Sequence, residues 1–112
     1  MEVCYLMIYG VLPCKSELEN FEELVVSEMM VHEKIVDFYK GFQSDAHPMA
    51  IMVGVVGALS AFLHEGFDVT DPRDREHIAI KLVAKFPTLA AFAFRTASGL
   101  PLVRPKKQYS YI

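Results

Sequence analysis

Polar residues almost vanish from the chain between positions 48 and 63. These sixteen positions, PMAIMVGVVGALSAFL, carry Ser60 as their only polar side chain. Ala50, Gly54, Gly57, Ala58 and Ala61 keep much of the run slim. A helix with one apolar stripe lies on a surface, whereas a helix apolar on nearly every side must be enclosed. Its small residues let a second backbone come close. The pattern predicts a central helix that needs more covering than 112 residues readily supply, and so a chain that is part of something larger.

On either side of this run, apolar residues recur at three- and four-residue steps, the period of helices with one buried face. Residues 2–9 predict a helix ended by Gly10, with Pro13 in the following turn. Residues 15–28 predict a second, acidic at its start through Glu17 and Glu19, with Leu18, Phe21, Leu24 and Val25 on its buried face. After a break at 29–31, residues 32–42 place Ile35, Val36, Phe38, Tyr39 and Phe42 in helical period. Gly41, Ser44 and Asp45 mark a short loop, and Pro48 suits the first turn of the apolar helix. Asp71-Pro72, with Asp74 and Glu76 behind it, is an acidic cap followed by an acidic first turn. Ile78, Ile80, Leu82, Val83 and Phe86 are expected on that helix's inner face. Pro87 either kinks it or starts a new helix, and residues 89–98 continue in register until Gly99 closes it. Pro101 and Pro105 hold the tail extended. No segment alternates like a strand between hairpin turns. The expected fold is all-α, five to six helices with short loops.

Composition bears on the setting of this fold. Hydrophobic residues make up 53% of the chain, above the usual soluble share, and a chain this short has little interior relative to its surface. The excess points to a missing partner surface, either a second subunit or more of the same polypeptide. The chain opens on MEVCYLMIYG already in apolar register and closes on QYSYI without a stop signal, which reads as a segment excised from a longer protein. A net charge of -3, from 11 basic and 14 acidic residues, gives no basic stripe for a nucleic acid partner. Arg104, Lys106 and Lys107 read as a solvated tail. Cys4 and Cys14 are too few for a disulfide framework, so reduced thiols in an intracellular protein are expected. Residues 3–11 lack the pattern of a signal peptide, and the run after Pro48 falls just short of a bilayer span. No membrane partner is expected.

Candidate chemistry is sparse. His32, His47, His64 and His77 stand at no metal-ligand spacing, and no cysteine lies beside them, so no metal is expected. Gly54 and Gly57 sit within a helical pattern rather than in a phosphate loop, and Ser60 has no nucleophile-elbow context. His47, at a helix mouth, has the position to bind a carboxylate or act as a base, but a helix cap is the favoured reading. Asp45 reads as a turn residue. Arg73 and Arg75 on an exposed first turn have the chemistry to grip a phosphate, although pairing with Asp74 or Glu76 is favoured. Tyr39, Phe42 and Phe62 are expected in the core.

Four segments nonetheless point to a family. DAHPMAIMVGVVGALSAF (residues 45–62) resembles the dimer-interface region of the citrate synthases, with its His-Pro-Met opening. EVCYLMIYGVLP (2–13), AIKLVAKFPTLAAFAFR (79–95) and GLPLVRPKKQYSYI (99–112) occur in the family's order, the last two similar to its AKxPTxAA and GxPxxYPxxxLSY patterns. The resemblance spans essentially the whole chain and is closest to the bacterial and peroxisomal-like branch. It implies part of an all-helical large domain in a homodimer, or in some bacteria a hexamer of dimers. Family members condense oxaloacetate with acetyl-CoA to give citrate and free CoA.

The resemblance also implies a segment truncated at both ends and inactive alone. The family's two catalytic histidines, its catalytic aspartate and its oxaloacetate-binding arginines lie beyond the motif at Ser110-Tyr111, as does the small domain that closes over acetyl-CoA. No catalytic residue is carried over, and His47 matches a histidine read as structural. The partners implied are a second copy and the remainder of the parent chain, with Ile35, Phe38, Tyr39, His47, Met49, Val53, Val56, Gly57 and Ser60 at the two-fold interface. No cofactor is expected on this segment, acetyl-CoA being a substrate of the parent. Two departures matter. Cys14 stands where many relatives cap the next helix with threonine, so a cap weaker by about 1 kcal/mol is expected. Some bacterial relatives bind NADH through basic residues in two regions. Ser27 and Glu28 occupy the first here, which argues against NADH control, while Arg73 and Arg75 leave a weak contact to CoA or nucleotide phosphate open. Three other readings stay open: a 2-methylcitrate synthase segment using propionyl-CoA, a non-enzymatic helical dimerisation module, and a small helical ligand-binding protein. Cytoplasmic, mitochondrial and peroxisomal locations are not distinguished.

Overall fold

Glycines, prolines and polar caps divide the chain where the periodicity changes. The computed structural model describes residues 1–63, 66, 68–106 and 108–109, among which there are five helices and no strand: α1 Glu2–Tyr9, α2 Lys15–Ser27, α3 Glu33–Tyr39, α4 Pro48–Phe62 and α5 Pro72–Ala97. Gly10 ends α1 in the left-handed region at φ 77°, its N–H donating to the Leu6 carbonyl at 2.8 Å. Gly99 does the same for α5 at φ 67°. Asp71 caps α5, its Oδ1 accepting from the Arg73 N–H at 2.8 Å just ahead of Pro72. Helix α3 is shorter than its periodicity predicts. His32 lies before it as the cap, and beyond Tyr39 the chain tightens into turns that bond three residues back.

Two apolar clusters fill the interior. Phe21 and Val25 of α2 pack with Ile80 and Ala84 of α5, covered by Met1, Cys4, Tyr5 and Ile8. Ile35 and Tyr39 of α3, Ile51, Met52, Val55 and Leu59 of α4, and Leu89, Phe92 and Ala93 of α5 form the second. The inner face of α5 is therefore Ile80, Ala84, Lys85, Thr88, Leu89, Phe92 and Ala93. Of the residues expected there, only Ile80 is buried, and Phe86 is exposed. Likewise Leu24 is exposed on α2, leaving Phe21 and Val25 as its buried pair.

Pro87 neither breaks nor ends α5, which runs 26 residues through it. An interior proline costs about 3 kcal/mol or more. Leu89 and Phe92, each with no exposed surface, offset that cost at about 1.5–3 kcal/mol apiece. The Tyr39 hydroxyl adds a buried bond to the Leu89 carbonyl at 2.8 Å, and burial raises the phenol's pKa well above its ordinary range. By length and composition α5 would reach across a bilayer. Ile80, Ala84, Leu89, Phe92 and Ala93 line the two clusters, with Lys85 also on the buried face, while Phe86 and Phe94 are exposed.

The result is a slab of 44 × 32 × 21 Å with a radius of gyration of 15.2 Å, where an ordinary domain of this length has about 13 Å. It exposes 7428 Å², about a fifth more than expected for a monomer of its mass.

At the start of α2, the Glu17 carboxylate accepts from the Cys14 N–H at 2.7 Å, while the Cys14 sulfur, a poor acceptor, takes the reciprocal place. Cys14→Thr is expected to raise stability by about 0.5–1 kcal/mol, read as an increase in thermal unfolding temperature. The Cys14 bond also holds the Glu17 carboxyl below its ordinary 4.5. Bonds from Lys40 and Thr70 hold Asp37 and Asp68 below 3.8. Each carboxyl binds its proton more weakly folded than unfolded, so its stabilisation is complete above the ordinary value and disappears as pH falls through the lowered one. An acid titration followed by circular dichroism is expected to lose helix below about pH 4, with the Glu17→Gln variant showing a shallower decline.

Candidate interaction surface

Most polar side chains near the helix ends serve the backbone. His47 Nδ1 accepts from the Met49 N–H at 3.2 Å, capping α4, and His32 Nδ1 accepts from the Lys34 N–H at 3.1 Å, capping α3. The favoured reading of His47 as a cap is therefore correct. The same role for His32 was not read from the sequence, although a histidine directly before Glu33 and a helical period is the same signal. His77 lies exposed on α5, and His64 falls outside the described residues.

Arg73 and Arg75 stand exposed on the first turn of α5, but with partners other than those expected. Arg73 pairs with Asp71 at 3.3 Å and Arg75 donates to the Val69 carbonyl at 3.3 Å. Asp74 is engaged by the Asp68 N–H at 2.9 Å, and Glu76 accepts from the Tyr9 hydroxyl at 2.5 Å. Burial, helped by the bond to Glu76, pushes the Tyr9 phenol up to about 12. Arg104 is not merely solvated: it pairs with Glu33 at 2.7 Å. Arg95 donates its Nε–H to the Pro101 carbonyl, and together these bonds fold the tail back toward α3.

One functional-looking group escaped sequence reasoning. Lys85 is only 8% exposed, and its ammonium donates to the Glu28 and Met30 carbonyls at 2.5 and 2.9 Å, with the Glu28 carboxylate at 3.6 Å. Burial lowers its pKa and the Glu28 charge opposes that shift. Its place one residue from Ala84 and three from Thr88, on the buried arc of α5, was the available signal.

The apolar surface left open centres on α4. One side of this helix, Ile51, Met52, Val55 and Leu59, is enclosed by α3 and α5. The opposite flank is not: Met49 is 63% and Val53 72% exposed, with Gly57 and Ser60 continuing the exposed side. Phe62, expected in the core, is partly exposed at the last turn, on the arc of Ile51 and Val55, with its ring 5.4 Å from that of His32. The expectation of enclosure on nearly every side is thus met on one side only within this chain. Phe38 of α3 is 42% exposed, and a groove of about 430 Å³ between α4 and α5 is lined by Val56, Leu82, Val83, Phe86 and Pro87. The Ser60 hydroxyl donates to the Gly57 carbonyl at 2.7 Å, so this flank presents little unmet polarity. A Cβ on Gly54 would come within 3.3 Å of the Phe42 ring, whereas one on Gly57 would meet nothing. Of the expected interface residues, Ile35 and Tyr39 turn into this chain's own core, 0% and 1% exposed, because their helical period matches the packed face of α3. Leu59 of α4 is likewise buried. Phe38, His47, Met49, Val53, Gly57 and Ser60 remain at the surface, and Val56 is half-buried.

This arrangement is an all-α helical domain with an uncovered apolar flank on α4. The family pattern for citrate synthase, C-terminal domain, matches residues 1–112, and the chain belongs to the citrate synthase family. Among solved structures it is similar to the citrate synthase of Pyrobaculum aerophilum, with 30% identity and a TM-score of 0.79 over 98% of this chain and 30% of that one. It is also similar to that of Thermotoga maritima, with 28% identity and a TM-score of 0.72 over 97% of this chain and 27% of that one. The fold matches that of Thermoplasma acidophilum citrate synthase in its ternary complex with carboxymethyl coenzyme A and oxaloacetate, at 20% identity and a TM-score of 0.84 over 98% of this chain and 28% of that one. The chain spans about 30% of the length of these enzymes.

His47→Ala is expected to lower stability by about 1 kcal/mol in thermal unfolding, through the lost cap. His47→Asn, which keeps a capping acceptor but not an imidazole, is expected to restore it. Failure of asparagine to do so would mean that the ring has another task.

Proposed function

We propose that this chain is a helical scaffold segment of an enzyme that condenses acetyl-CoA with oxaloacetate to give citrate and CoA. Its own contribution is the surface on which two copies meet. The observation that carries this reading is the open flank of α4 within a chain matched to the family from end to end. Self-complementary burial suits a two-fold contact, in which Met49, Val53 and Gly57 of one copy lie against the same residues of the other. Glycine at 57 then has a purpose, since nothing inside the chain requires a missing side chain there. No chemical step is assigned to the residues of this segment. In a complete enzyme, acid–base groups elsewhere would enolise the acetyl methyl while a hydrogen-bond donor polarises the oxaloacetate carbonyl.

Sedimentation of the purified chain over a wide concentration range is expected to show a dimer or larger species. Gly57→Leu is expected to weaken that association by at least about tenfold without loss of helix, because leucine suits a helix better than glycine and its Cβ would have no atom of the chain within 4 Å. The same preparations are expected to release no CoA from acetyl-CoA and oxaloacetate in a thiol-detection assay. A monomer throughout would remove the interface reading, and sustained turnover would remove the scaffold-only reading.

A further inference from the structure

The two apolar clusters share α5 but not its residues. Ile80 and Ala84 belong to the cluster with α1 and α2, while Leu89, Phe92 and Ala93 belong to the cluster with α3 and α4. Between them on the buried face of α5 stand only Lys85 and Thr88, with Pro87 alongside. Proline has no N–H to give the preceding turn, so the helix ladder is thinned at the same point. The chain passes from one packing unit to the other across residues 28–32, and this crossing is where the Lys85 ammonium is spent. It bonds the carbonyls of Glu28 and Met30 at 2.5 and 2.9 Å and faces the Glu28 carboxylate at 3.6 Å.

Glu28 is the C-terminal cap residue of α2, whose last turn contains no basic residue of its own. Lys85 therefore supplies, from another helix, the cation that a helix C-terminus favours. A buried ammonium is held in place only where charge and carbonyl partners compensate its lost hydration. It thus has one arrangement that satisfies it, and that arrangement joins the two units at their seam.

We propose that Lys85 is a latch between two packing units that open separately: α1 and α2 on the N-terminal half of α5, and α3 and α4 on its C-terminal half. With the latch closed, the first pair of helices is tied to the second. With it released, α1 and α2 detach from α5 while the unit carrying the open α4 flank stays folded. The inference does not depend on the enzymatic reading, because it concerns only which parts of the chain open together.

Native-state hydrogen exchange by mass spectrometry tests it, on the chain in its solution state and on Lys85→Met, which keeps a similar apolar stem but donates no hydrogen bond. Exchange in α1, α2 and residues 28–32 is expected to rise by about tenfold or more, the loss of a charge-assisted bond to buried carbonyls. Exchange in α3 and α4 is expected to change by less than about threefold, and Lys85→Arg is expected to restore part of the protection. An equal rise in all five helices, or no rise in any, overturns the proposal. If Lys85→Met does not fold, the unmutated chain in graded denaturant decides. Opening of α1 and α2 as a step before α3 and α4 supports the latch, and one common opening for all amides overturns it.

Discussion

Everything in this fold leans on α5 staying a single rod past Pro87. Both apolar clusters use it as their common wall, the first at Ile80 and Ala84 and the second at Leu89, Phe92 and Ala93. Had the helix ended at the proline, the second wall would swing away and Tyr39 would lose both its packing against Phe92 and its carbonyl partner at Leu89. Competition between the proline and the clusters is decided by magnitude. One lost ladder bond and a crowded ring cost about 3 kcal/mol or more, against several fully buried side chains worth about 1.5–3 kcal/mol each. Continuity wins because Leu89 and Phe92, beyond the proline, are fully buried.

Polar groups are placed to complete the backbone. His32 and His47 occupy the caps of α3 and α4, Asp71 caps α5, and Glu17 reaches back to the residue before α2. Lys85 takes the carbonyls at the end of α2. A charged group placed like this fixes one geometry, and leaving it unpaired would cost more than the bonds return. The ionisable side chains named here thus give the fold definition.

Element existence was legible from periodicity and punctuation, because helix ends here carry strong local signals: Gly10, Pro48, Asp71-Pro72 and Gly99. Which side of each helix faces inward was less legible. Leu82, Val83 and Phe86 share the period of a buried face on α5, yet the core selects the arc a fraction of a turn away, which carries Ala84, Lys85 and Thr88. Small residues allow α2 and α4 to come close, and large ones on the neighbouring arc are left at the surface or lining a groove. Hydrophobicity alone cannot rank two adjacent arcs when one is larger and the other permits tighter packing. Lys85 was invisible for a related reason. Its two acceptors lie more than 50 positions away in sequence, and no local pattern encodes them. The surface set was only partly separable: Ile35 and Tyr39 share the helical period of Phe38, and only packing shows which of them face inward.

Exposed apolar side chains are ordinary one at a time, as with Phe94, while Val3, Leu6 and Met7 form a second exposed apolar stripe on α1. The flank of α4 differs in containing a glycine with open space before it. A helix pays for an interior glycine with backbone entropy, about 1 kcal/mol relative to alanine. Gly54 has a return within the chain, because the Phe42 ring packs where a side chain would stand. Gly57 has none there. On the proposed interface reading the return comes from a second backbone that approaches closer than a methyl group would permit. A second α4 related by a two-fold axis, as proposed above, would meet that need with the same glycine on both sides of the contact. A slab 21 Å thick also buries little on its own.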